Sequence, residues 1–125
     1  MSPLSRTLLN VLRVAVAVQL ILGITLWTGA LYTSLVGVHQ TVGTIFVLTL
    51  WVLAVATLLQ RRAVGVALFA ILWGFVIAMF GFMQRGMLPG EYHWVIRVLH
   101  LLVGVAAMPI AERLARGQRV ATVAA

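Results

Sequence analysis

The stretch LVGVHQTVGTIFVLTLWVLAVATLL, residues 35–59, decides the fold. It holds no Asp, Glu, Lys or Arg and is longer than the ~20 apolar residues that carry a helix across a bilayer. In hydrocarbon every backbone N–H and C=O must be paired, so a single run of this kind crosses as a helix. Its one ionisable side chain is His39, a few residues from the start.

Three similar runs flank it. Together they give spans at about 11–31, 35–59, 63–82 and 92–114. Tyr32-Thr33-Ser34 and Gln60-Arg61-Arg62 are short connections, which force antiparallel neighbours. The longest polar connection is Gln84 to Glu91, where Pro89-Gly90 marks a turn and Glu91 suits the first turn of the next helix. Trp27, Tyr32, Tyr92 and Trp94 fall where interfacial aromatic belts form. Residues 1–13 form a basic lead-in in which Ser5 could cap a helix starting near Arg6. The run from Val14 to Leu31 is too long for a signal-peptide core, so it reads as a retained span. Pro109 predicts a bend near the end of span 4, and Arg113 to Ala125 reads as a fraying tail.

Composition agrees with a membrane bundle. The chain of 125 residues is 63% hydrophobic and 9% charged, with mean hydropathy +1.13, too few charges to cover a soluble surface. The net charge of +7 comes from nine arginines against two acids. In a soluble chain that balance suggests nucleic acid; here the arginines sit at the ends of apolar runs and no nucleic-acid partner is implied. Arg6, Arg13, Arg61, Arg62, Arg113, Arg116 and Arg119 fall on one side of a four-span topology, and Arg85 and Arg97 on the other. The positive-inside rule then puts both termini in the cytoplasm. The absence of cysteine excludes disulfides, thiolate metal sites and covalent haem attachment.

This topology makes spans 2 and 4 parallel, able to lie diagonally in the bundle. Each carries a histidine followed four residues later by glycine: His39 with Gly43, and His100 with Gly104. Residues i and i+4 share a helix face. Ionisable side chains in apolar helices are functional candidates. Two imidazoles at one depth would ligate a haem iron from both sides, with the glycines making room for a flat macrocycle and Phe46 packing against it. Arg97 precedes His100 by one turn and has almost no acidic partner, since Glu91 is near the surface and Glu112 at the far end. Haem propionates would supply the missing charge. Depth is the point of conflict. Counted to the arginines that close the spans, Arg61 and Arg113, His39 and His100 differ by roughly 13 Å at 1.5 Å per residue. His93 matches His39 better on that count and remains the alternative second ligand.

The histidine pieces VHQTVG and RVLHLLVG, set on the second and fourth of four spans, resemble one half of a haem A synthase. The architecture is also similar to small membrane cytochromes of the b561 type. The resemblance implies haem ligation by His39 and by His100 or His93. No glutamate accompanies His39, where the chain reads Leu35-Val36-Gly37-Val38, so haem binding rather than the oxidative chemistry of haem A synthases is what carries over. The expectation is an all-α, four-helix integral membrane protein of a prokaryotic plasma membrane. It would bind one b-type haem near its outer face, for electron transfer, with a quinone or another redox partner, or for haem handling. If it is an enzyme, it is a haem-dependent oxidoreductase. Two rival classes fit the same composition: a cofactor-free accessory subunit of a membrane complex, and a small transporter working as a homo-oligomer.

Overall fold

The computed structural model describes residues 2–29 and 32–118, with nothing stated of the side chains of Tyr32 and Thr33. Four helices follow one another: α1 Pro3–Trp27, α2 Tyr32–Leu59, α3 Val64–Met83 and α4 His93–Gly117. A short 3-10 turn, Gln84–Gly86, extends α3. All four helices are long and apolar enough to cross a membrane, and no strand occurs among the described residues. The protein is an all-helical, multi-pass membrane bundle.

The short links set the topology. At the end of α2, Arg61 takes a left-handed conformation (φ 52°). Its N–H meets the Leu58 carbonyl, and the Arg62 N–H reaches back to Thr57. These paired bonds satisfy carbonyls that a helix end otherwise leaves open. Sequential helices pack as neighbours, α1 closes the ring against α4, and α2 meets α4 across the diagonal.

Packing differs sharply between the two ends of the bundle. Nearly all buried side chains lie in the half that holds the termini. Leu9, Leu12 and Ala15 of α1 meet Leu50, Leu53 and Ala54 of α2, Ala67 and Ala70 of α3, and Ala107, Ala111 and Leu114 of α4. Alanine on α3 and α4 lets those backbones approach closely, as membrane helices require where no hydrophobic effect drives association. A buried polar tie closes this end. Ser5 Oγ donates to Gln118 Oε1, and Gln118 Nε2 donates to Thr57 Oγ1 at 2.8 Å. Nearby, Glu112 accepts from Arg13 and Arg116, each at 3.1 Å.

Two indoles join α3 to its neighbours. Trp51 donates to the Ile71 carbonyl and Trp73 to the Val103 carbonyl, both at 3.0 Å. Trp51 lies directly against Gly74, where any side chain would run into the indole.

Several local expectations are corrected. The first helix begins at Pro3, capped by Ser2, whose Oγ accepts from the Ser5 N–H at 3.1 Å. Proline suits that first position because its missing N–H has no intrahelical partner there. Ser5 is therefore a buried tie to α4 rather than a cap, and the basic lead-in is helix. Glu91 precedes α4, which has no acidic residue in its first turn. The segment from Arg113 to Gln118 is no fraying end: Leu114, Ala115 and Gln118 are buried. Arg119 and the rest of the tail lie outside the described residues. Pro109 lies within α4, eight residues before its last residue.

Candidate functional site

The other half of the bundle is hollow. A cavity of about 240 Å³ runs between all four helices, or about 1340 Å³ when the space continuous with its opening is counted. Gly23, His39, Gly43, Phe46, His100 and Gly104 are among its walls, and His93, Arg97, Gln84 and Arg85 line it as well. A smaller void of about 190 Å³ between α2 and α3 shares His39, Gly43 and His100 with the first and adds Thr44, Trp51 and Ala78.

His39 and His100 face each other across the diagonal. Their ring centroids are 6.1 Å apart, with the planes tilted by 55°. Each imidazole buries its Nδ1 with no hydrogen-bond partner among the described residues. With centroids 6.1 Å apart, the two rings cannot differ by the roughly 13 Å of depth that the arginine count gives at 1.5 Å per residue. The earlier conflict came from the arginine markers. Arg61 lies beyond the end of α2, whereas Arg113 lies inside α4, so counting to them compared unlike points.

His93 sits at the first position of α4 and lines the same cavity. Its Nδ1 donates to the Met87 carbonyl at 3.1 Å, holding the connecting loop against the helix. The histidine ring brought up to His39 is that of His100. Arg97 is exposed, borders the cavity and makes no hydrogen bond or ion pair among the described residues. Phe46 is buried, with 4% of its surface exposed, and forms part of the cavity wall.

The two glycines of the repeated pattern differ. A Cβ on Gly104 would meet nothing within 4 Å, so that position opens onto free space. Gly43 is filled from α1: a Cβ there would lie 2.6 Å from the Gln19 side-chain nitrogen. The room made by Gly43 thus holds a glutamine amide. Gly23, one turn beyond Gln19, faces His39, whose Cε1 would be 3.7 Å from an added Cβ. Gln19 borders both voids, and its Oε1 is buried without a partner among the described residues. Sequence reasoning passed over Gln19. Its signal was a glutamine in the middle of the first apolar run, where a polar side chain needs a partner.

Chemically, the site offers two neutral-capable imidazoles and a guanidinium at one end of an apolar cavity. Among the described residues no group of three or more His, Cys, Asp or Glu side chains is placed to hold a metal ion. A bare ion bound by two imidazoles would lack two of the four ligands of a tetrahedral site, whereas a macrocycle would bring ligands of its own. Comparison of the chain with protein-family models, with curated proteins and with solved structures returns no match.

Proposed function

We propose that the protein binds one non-covalent b-type haem between His39 and His100 and serves membrane electron transfer or haem handling. The observation that carries this reading is the spacing of the two rings. Two iron–nitrogen bonds of about 2.0 Å, plus about 1.2 Å from each nitrogen to its ring centre, separate bis-histidine centroids by about 6.4 Å. The rings here stand 6.1 Å apart. The chemistry of the site fits the group in three further ways. Gly104 leaves open space beside His100. Arg97, unpaired among the described residues, is available to a propionate. Phe46 offers an apolar wall.

When bound, the haem would supply one-electron chemistry at iron. The chain would hold it by His39 and His100, offset its charge with Arg97 and keep water away with the apolar walls. The second void, between α2 and α3 and bordering both histidines, would be the place for a quinone or another membrane-soluble redox partner. We further infer that the end holding the termini faces the cytoplasm of a prokaryotic cell. Six described arginines, Arg6, Arg13, Arg61, Arg62, Arg113 and Arg116, lie towards that end, against Arg85 and Arg97 at the other, as the positive-inside rule requires.

The test is spectroscopic. Protein purified in detergent should be red, or turn red on adding hemin, with a sharp Soret band and split α and β bands on reduction. His100→Ala should lose the six-coordinate spectrum, and His93→Ala should keep it. Colourless protein that takes up no hemin would falsify the proposal.

A further inference from the structure

We propose that Gln19 is a positioning residue for His39, its amide accepting a hydrogen bond from the ring's Nδ1–H when Nε2 is turned to iron. The inference rests on the haem reading above.

The register of α1 against α2 puts the two residues together. Gln19 faces Gly43, and Gly23 faces His39. These are consecutive rungs of one antiparallel pair, so Gln19 lies four residues, about 6 Å along the axis at 1.5 Å per residue, from the level of the imidazole. A glutamine side chain with a hydrogen bond at its tip spans that distance. Burial gives the second argument. Oε1 of Gln19 and Nδ1 of His39 are both buried and both lack a partner among the described residues. One is an acceptor; the other is a donor in the tautomer that leaves Nε2 free for a metal. Buried polar atoms without partners are rare in folded proteins and call for an explanation. Here each supplies what the other lacks. Gly43 is the third element, because the absence of a side chain there lets the amide lie against α2 beside the histidine's own face.

Metal-bound histidines commonly donate their second N–H to an acceptor, which fixes the tautomer and makes the ligand more basic. A more basic imidazole favours ferric over ferrous iron and lowers the midpoint potential. Gln19→Leu removes the acceptor while keeping bulk, so the midpoint should rise. Gln19→Glu replaces the amide with a carboxylate, so the midpoint should fall. For one electron, a tenfold change in the ferric preference is about 59 mV. Gly43→Ala should act like Gln19→Leu by displacing the amide, and should add little to it in the double variant. Residues acting through one contact are not additive.

The experiment is redox potentiometry of the α band on purified protein and on these four variants, with the six-coordinate spectrum recorded for each. Opposite shifts for Gln19→Leu and Gln19→Glu, with Gly43→Ala following Gln19→Leu, are expected; a purely structural role would not reverse sign between leucine and glutamate. If Gln19→Leu does not keep haem, Gly43→Ala and Gln19→Glu carry the same comparison. Haem-bound variants whose midpoints match the parent protein, or move in one direction only, overturn the role of Gln19 and leave haem binding standing. Parent protein that takes up no hemin removes both.

Discussion

Gly74 and Gly104 both face the interior, and replacing each with alanine should move stability in opposite directions. In a helix interior, glycine is about 0.8–1.0 kcal/mol less favourable than alanine. At Gly104 the new methyl meets nothing within 4 Å. That gain is unopposed, and Gly104→Ala should be more stable by up to ~1 kcal/mol. At Gly74 the methyl would overlap the Trp51 indole, a rigid ring fixed by its bond to the Ile71 carbonyl at 3.0 Å. Overpacking of this kind costs roughly 1–3 kcal/mol, and loss of the indole hydrogen bond about 1 more. After the propensity gain, Gly74→Ala should be about 1–3 kcal/mol less stable than the parent protein. Reversible unfolding in mixed detergent, followed by circular dichroism, reads both differences on one scale. Gly74→Ala as stable as the parent, or Gly104→Ala as damaging as Gly74→Ala, would refute the assignment of one glycine to a packed contact and the other to open space.

Two further outcomes follow from the same packing. Gln118→Leu leaves the Ser5 and Thr57 hydroxyls without their shared partner and should cost about 2–3 kcal/mol, two hydrogen bonds at roughly 1 kcal/mol each plus part of a desolvation penalty; equal unfolding midpoints would remove the tie from the fold. Gly104→Leu places a branched side chain in the cavity and should lower hemin affinity at least tenfold without loss of helix content, measured by Soret titration; undiminished uptake would put the ligand elsewhere.

The spans were legible because their signal is an absence: no charge interrupts residues 35–59, and a buried backbone in lipid has few alternatives to helix. The diagonal placement of α2 and α4 followed from the alternating direction of four successive spans. Helix ends were harder to read. Ser2-Pro3 and Ser5 are both reasonable starts, and the choice is made by the Ser2 cap bond together with the partner of Ser5, Gln118 at the end of α4, 113 positions away. The histidine pair was legible as residue types, but its depth was not. Arg113 reads as a boundary only if arginine cannot lie inside a helix end, and here α4 carries it one turn before its last residue. Gly43 and Gly104 could not be told apart at all. Their difference depends on what the facing helix presents at that rung: a glutamine amide at one and empty space at the other.

The separation of a solid end from a hollow end bears on the order of events in the life of the chain. Most of the contacts that lock the four helices together, from Leu12 and Leu53 to the Ser5–Gln118–Thr57 tie, lie away from the cavity, and Phe46, Val47, Trp51 and Ile77 are where the packed core meets its walls. The packed end therefore supplies most of what assembly of the four helices needs. On the haem proposal, filling the cavity would be a late step acting on a finished scaffold.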